Sequence, residues 1–410
     1  MKEGVYSNPY RWVVLTCFML LAGVNQLLWL NFVPLLGQIQ ESYGVSEMMA
    51  TSLTLCFPLL YVFLAMPSGA MVDRRGYRFT LAVGAIIMTL GTICRIYTES
   101  FWALLIGQIL VAIAQPFILN GITKVAADWF EEHQRALATG LGTAGMFTGM
   151  AVGMAATPAL HEAYGMRSTM IIFAILTALI SALFILFAKE NPGGFASRQE
   201  VQTYTAFSEM MTILKHPALL LVIIIAFLAL GFFNGLTTWF EALLSQNGVE
   251  PLDAGIIGGV MILGGILGSL VLPAISDKLE KRKPVLILCG ITGLILTLPL
   301  FVSGNLSILY WSGGLLGFFF LPGYALLLAM SEELAGPERA GGAAGALMLA
   351  GNAGGVIVAT IMGLMHSGES GWRPAEYFLV GILGAIFLLA FWTTETFRLS
   401  SANRKQAAAG

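Results

Sequence analysis

The chain has 410 residues, 57% of them hydrophobic and only 11% charged, with a net charge of −2 and a mean hydropathy of +0.81. Soluble domains carry roughly 25% charged residues, so this chain cannot cover its surface with water-compatible groups. The near-neutral charge also argues against a polyanionic partner such as nucleic acid. Cys17, Cys56, Cys94 and Cys289 lie in apolar runs without a CxxC or Cys/His cluster, so they read as buried thiols rather than disulfides or metal ligands.

A membrane-spanning helix needs roughly 20 apolar residues. Six qualifying runs lie near 11–36, 48–72, 78–98, 101–125, 136–160 and 168–188, and six more near 217–244, 253–276, 284–303, 307–330, 342–365 and 376–394. The first run has no small-residue cleavage site and reads as a helix, not a removable leader. The expected fold is an all-α membrane protein of 12 transmembrane helices in two pseudo-symmetric six-helix bundles. Residues 1–188 form the first bundle, 189–216 a central loop, 217–398 the second bundle and 399–410 a tail. The loop holds a short amphipathic stretch, Phe207–Leu214, that lies on the inner leaflet or serves as a plain tether. With twelve spans, one face of the membrane receives 18 Lys and Arg and the other receives three, Arg95, Arg167 and Arg373. The positive-inside rule then puts both termini in the cytoplasm of a plasma or inner membrane.

In chain order, the first span carries Asn25, Gln26, Trp29 and Asn31, with Asn25 and Trp29 four apart and so on one helix face. A hairpin follows the second span, with Gly69, Asp73, Arg74, Gly76 and Arg78. Gly69 permits close helix approach, Asp73 suits the start of a neighbouring helix, and Arg74 and Arg78 can pair with an acid such as Asp128. Arg95, at the outer end of the third span, is expected to snorkel to the interface. Gln108 and Gln115 share a face of the fourth span, and Asn120 follows. Gly145, Gly149 and Gly153 repeat at every fourth residue on the fifth span, as do Gly264 and Gly268 on the eighth and Gly351 and Gly355 on the eleventh. Such spacing serves static packing or a sliding interface.

The seventh span bears Asn234, Thr237, Thr238 and Glu241 as one stripe, with Trp239 beside it. Glu241 is a carboxylate within an apolar span. It serves as a proton site, as a countercharge for a cation, or as a solvated group at the outer mouth. A weaker copy of the hairpin appears at Asp277, Lys278, Arg282 and Lys283. The tenth span holds Tyr324 beside Pro322 and Gly323; the eleventh holds Asn352 among glycines. Asp128-Trp129-Phe130 before Arg135 is echoed by Glu332-Glu333 before Arg339, which extends the internal repeat. Each amide in these spans either hydrogen-bonds a neighbouring helix or lines a solute path.

The four histidines, His133, His161, His216 and His366, fall in loops or at helix ends, and no haem-attachment motif, catalytic triad or GxxxxGK[ST] segment occurs. An enzyme, a cofactor and ATP as energy source are therefore not expected.

The hairpin at Gly69–Arg78, its copy and the six-plus-six layout resemble the major facilitator superfamily. Within it, the chain is most similar to the FLVCR-type haem and choline transporters. That likeness rests on Trp29 upstream of Tyr43-Gly44-Val45-Ser46, Gly107-Gln108, Ala114-Gln115, Phe117-Ile118-Leu119, Trp129-Phe130, Gly317-Phe318-Phe319 and Gly323-Tyr324. The resemblance implies that Gly69, Asp73, Arg74, Gly76, Arg78, Asp128, Asp277 and Arg339 form conformational latches. It also implies that the first, fourth, seventh and tenth spans line a solute path and that the protein works as a monomer. In that family a first-span tryptophan and a seventh-span aromatic box a quaternary ammonium beside glutamines of the fourth and eleventh spans. Trp29 and Gln115 match; Asn234 replaces the aromatic and Asn352 the second glutamine.

The expectation is a secondary transporter for a small organic amine, quaternary ammonium or zwitterion, using alternating access with Glu241 as a proton or cation site. The candidate contacts are Trp29, Asn25, Gln115, Asn234, Trp239, Tyr324 and Asn352. The alternatives are proton-driven drug or metabolite efflux, and a receptor or sensor that moves nothing.

Overall fold

The computed structural model describes residues 9–190, 215–336, 339–366 and 371–397, and every regular element among them is a helix. The amphipathic stretch Phe207–Leu214 and the tail 399–410 lie outside the described residues. Among the described residues, eleven helical stretches are long and apolar enough to cross a bilayer. One of them, Leu137–Phe187, has 51 residues, and Gly165 breaks it at φ 77°. A straight helix of that length would run about 75 Å, more than twice the ~30 Å hydrocarbon core. The stretch is therefore two crossings, which gives the twelve expected, and Gly165 falls between the fifth and sixth predicted runs.

The chain forms two compact units. The first comprises Met1–Phe32, Ser42–Gly44 and Ser52–Val201; the second comprises Val33–Glu41, Val45–Thr51 and Gln202–Gly410. The helices are α1 (Tyr10–Leu30), a 3-10 turn (Val33–Leu35), α2 (Leu36–Tyr43), α3 (Glu47–Arg75), α4 (Tyr77–Cys94), α5 (Phe101–Leu119), α6 (Ile122–Trp129) and α7 (Glu132–Phe187). After the central segment come α8 (Pro217–Thr238), α9 (Phe240–Ser245), α10 (Pro251–Leu279), α11 (Lys283–Val302), α12 (Leu306–Phe320), α13 (Pro322–Ala335), α14 (Ala340–Met365) and α15 (Arg373–Trp392).

Within the first unit, α1 packs along α7 through small residues. A Cβ on Gly149 would run into the Gly23 carbonyl, so the two backbones touch where neither carries a side chain. The second unit repeats the device. Gly354 of α14 meets the Phe227 carbonyl of α8, and Gly268 of α10 meets the Phe318 carbonyl of α12. Lipid offers no hydrophobic driving force between helices, so close van der Waals contact through small residues is the main means of holding them. The glycine repeats thus serve contacts inside a single unit. Outward-facing Phe63, Leu186, Val302, Trp311, Leu364 and Trp392 remain exposed, as lipid-facing side chains must.

Four predicted spans are not continuous. The first breaks after α1 at Asn31, the fourth at Asn120–Gly121, the seventh at Trp239 and the tenth at Leu321. Pro116 in the last turn of α5 and Pro322 at the start of α13 each lack a backbone donor, which ends the helical ladder locally. Each break leaves carbonyls of the preceding turn without an in-helix donor. These are the four spans on which most of the polar candidates lie.

Candidate functional site

In the first unit, the Trp29 indole is buried, donates its N–H to the Thr54 carbonyl at 3.2 Å and stacks on Phe57 with ring centroids 6.0 Å apart. Asn25 lies on the same helix one turn earlier, yet its side chain goes elsewhere. Its amide nitrogen donates to the Val111 carbonyl at 3.3 Å and approaches Met88 Sδ at 3.6 Å. Asn25 therefore joins α1 to α4 and α5 in this conformation, rather than sharing a contact surface with Trp29. Gln115 is buried on α5. Asn120 is fully engaged: it donates to the Ala65 carbonyl and to Ser68, and accepts from the Tyr61 hydroxyl.

Arg95 corrects the expectation of snorkelling. Its guanidinium is enclosed, because Gln108, Met170 and Phe32 surround it.

Several buried polar atoms have no protein partner among the described residues. They include both side-chain polar atoms of Gln26 and of Asn31, Asn25 Oδ1, Thr54 Oγ1, Gln38 Oε1 and Asn234 Oδ1. An unmet buried polar atom costs about 1–3 kcal/mol, so these positions call for water or a bound solute.

In the second unit, Asn234 is buried with its side chain over Gly355. Trp239 is locked: its indole N–H donates to the Ala359 carbonyl at 2.8 Å, and its ring packs on Trp372 at 4.5 Å. That packing leaves Trp239 unavailable as a second aromatic wall in this conformation. Tyr324 is half-buried in the first turn of α13, and Asn352 donates to the Met348 carbonyl of its own helix at 2.9 Å. Glu241 lies beyond the break in its span, in the first turn of α9. Half-buried, it accepts a hydrogen bond from the Gly37 backbone and stands in the negative field of Glu47 and Glu41. In the first unit, the Trp29 indole and the unmet amides of Gln26 and Asn31 supply a π face and hydrogen bonds without fixed charge; in the second unit, Glu241 supplies a carboxylate.

The two hairpins differ in detail. In the first, Asp73, Arg74 and Arg78 are exposed, and Gly76 takes φ 80° between α3 and α4. The Arg78 backbone N–H donates to Glu190 at 3.0 Å, Trp129 donates to the Tyr77 hydroxyl at 2.7 Å, and Lys124 pairs with Asp128 at 3.1 Å. In the second, Asp277 pairs with Arg282 of its own hairpin, and Arg282 also reaches Glu333 at 3.1 Å. Desolvation opposes the Arg282 charge, but hydrogen bonds to Glu333 and Asp277 outweigh it and raise its pKa. Glu395 accepts from the backbone N–H groups of Arg282 and Lys283, while Thr396 donates to Glu333. Arg339 is exposed at the start of α14. Glu333 belongs to the Glu332-Glu333 pair that echoes Asp128 in the sequence, whereas Glu395 and Thr396 carry no sequence sign of this role, since only the fold brings them to the second hairpin.

A family model described as the Major Facilitator Superfamily matches residues 18–297 and, in a second match, residues 242–409. Choline/ethanolamine transporter FLVCR1 of Mus musculus is 26% identical over 406 residues, covering 90% of this chain and 71% of the mouse protein. Choline/ethanolamine transporter FLVCR2 of Homo sapiens is 24% identical over 417 residues, covering 96% and 79%. An uncharacterised MFS-type transporter of Caenorhabditis elegans is 25% identical over 382 residues; the match covers 87% of this chain and 65% of the worm protein's length. Among solved structures, a point mutant of the nucleoside transporter NupG superposes with a TM-score of 0.74 at 15% identity, over 93% of this chain and 99% of that one. A bacterial homologue of the human lysosomal transporter Spinster, inward-facing and occupied, gives 0.73 at 17% identity, over 95% and 98%. The structural likenesses establish the fold alone. With twelve crossings, duplicated hairpins and a family match along nearly its whole length, the chain belongs to the major facilitator superfamily and is a multi-pass membrane transporter.

Proposed function

We propose that the chain is a secondary transporter of a small amine, quaternary ammonium or zwitterionic solute, working by alternating access as a monomer with both termini in the cytoplasm. Trp29 and Gln115 on the first unit, and Asn234, Tyr324 and Asn352 on the second, are the proposed solute contacts. Asn25 and Trp239 shape their surroundings. The observation that carries this reading is Trp29: a buried indole on a broken first span, in a chain similar to two transporters named for choline and ethanolamine. An indole face attracts an ammonium group by about 0.5–2 kcal/mol, and the unmet amide atoms suit its hydroxyl or N–H groups.

The test is thermal unfolding of the purified protein with choline, ethanolamine, betaine, other amines, haem or organic acids, repeated for Trp29→Ala. A ligand that binds the folded state raises its apparent stability. Stabilisation by an amine in the wild type and its loss in Trp29→Ala supports the reading. Stabilisation by acids or haem alone overturns it.

A second reading, proton-driven efflux of drugs or metabolites, draws on Glu241, a half-buried carboxylate placed to take up a proton. Flux in proteoliposomes with and without a pH gradient decides between the two. Broad solute tolerance with proton exchange, lost in Glu241→Gln, favours efflux; pH-independent flux unchanged in Glu241→Gln removes the proton role.

A further inference from the structure

Arg95 follows directly on the last residue of α4 and is only 1% exposed. Its Nη1 donates to Gln108 Oε1 at 2.8 Å, and Gln108 Nε2 donates onward to the Leu28 carbonyl at 2.9 Å. Nη2 meets Met170 Sδ at 3.3 Å, and Cζ stands 4.5 Å from the centre of the Phe32 ring. Nε has no protein partner, and among the described residues no carboxylate forms an ion pair with this guanidinium.

A buried, unpaired cation is costly unless something else answers its charge. Three features do so here. The Phe32 ring offers its π face. Gln108 offers its oxygen. Leu28 belongs to the last turn of α1, where carbonyls lack in-helix donors and the helix dipole is negative. The packing is built around the stem as well: a Cβ on Gly107 would stand 2.6 Å from Arg95 Cγ. No bulkier residue fits there without displacing the arginine.

The contacted residues bracket one point in the chain. Leu28 and Phe32 flank the end of α1, before the 3-10 turn Val33–Leu35. The chain passes from the first compact unit to the second between Phe32 and Val33. Hinges in transporters and enzymes are a few element-terminal residues that absorb backbone rotation.

We propose that Arg95, acting through Gln108 on the Leu28 carbonyl and directly on the Phe32 ring, is a positioning residue that pins the first-unit side of a hinge in the first span. It holds the end of α1 in register while the segment beyond Val33 moves during the transport cycle. The proposal does not depend on which solute is carried, so it stands or falls separately from the amine reading.

The test is amide hydrogen exchange of the full chain in lipid nanodiscs, comparing wild type, Arg95→Lys, Arg95→Met and Arg95→Met with Gln108→Leu. Thermal unfolding is measured alongside. The double variant removes both polar partners, so a purely structural role predicts recovery of melting temperature and of wild-type exchange together. The pin predicts a split. Melting temperature recovers, while amides of residues 28–36 exchange about tenfold faster and those of Tyr77–Cys94 keep their protection. Wild-type exchange at 28–36 in the double variant overturns the proposal, as does faster exchange spread evenly through α4. If the double variant does not fold, Arg95→Lys decides, because lysine keeps the charge without the fork. Faster exchange confined to 28–36 supports the pin, and unchanged exchange there overturns it.

Discussion

Glu47 and His366, 319 residues apart in sequence, meet in the second unit with the imidazole Nδ1 2.6 Å from the carboxylate. The imidazole also stacks on Trp372, with ring centroids 4.6 Å apart and planes within 9°. Trp372 in turn donates its backbone N–H to Gln246 and packs its indole on Trp239. Residues Val45–Thr51 thus join the second unit through a carboxylate–imidazole contact at one end of a column of rings.

The rings should matter more than the carboxylate–imidazole contact in that column. Glu47 and His366 are both partly exposed, and such pairs contribute about 0–1 kcal/mol. Trp372 is buried, and truncating a buried aromatic costs about 3–5 kcal/mol. Chemical or thermal unfolding should rank Trp372→Ala as far more damaging than Glu47→Gln. Equal losses would show that the Glu47–His366 contact matters as much as the rings and would overturn that ranking.

Gly149→Leu should prevent correct assembly of the first unit, because the new side chain enters the Gly23 carbonyl. Gly140 provides the control on the same helix, since nothing lies within 4 Å of an added Cβ there. Gly140→Ala should be neutral or gain up to about 1 kcal/mol, since glycine is a poor helix former. Monodispersity on size-exclusion chromatography and melting temperature check both.

Arg282→Ala should cost about 3 kcal/mol or more, by leaving Glu333 and Asp277 without their shared cation. Arg282→Lys should rescue only part of the loss. An ammonium cannot reproduce the fork that reaches Glu333 from both Nε and Nη2 and Asp277 from Nη1. Melting temperatures of the two variants give the comparison; full rescue by lysine would make the contact one of charge alone.

What could be read from the chain before folding depended on how local each property is. The twelve crossings and the duplicated hairpins follow from composition and charge within short windows. The fourth and tenth spans read as continuous through Pro116 and Pro322, whose missing backbone donors account for two of the breaks, whereas the break at Trp239 has no proline or glycine at its position. Asn25 and Trp29 share a helix face by spacing, yet neighbours on different helices draw their side chains apart. Arg95 shows the same limit. A cation at the end of an apolar run reads as interfacial, and its burial depends on Gln108, Met170 and Phe32, residues that only tertiary structure gathers.

The four thiols have a practical consequence. Cys17, Cys56 and Cys289 are buried and Cys94 is half-buried, with its sulfur turned to the Ala103 carbonyl. Maleimide dyes, which react at accessible sulfur, meet a nearly silent native background. A cysteine introduced at Tyr97 or Glu250, exposed residues that lie between helices, would take the dye without prior removal of the natural four. Two such positions, one per unit, would turn a transporter that keeps its four natural thiols into its own distance gauge.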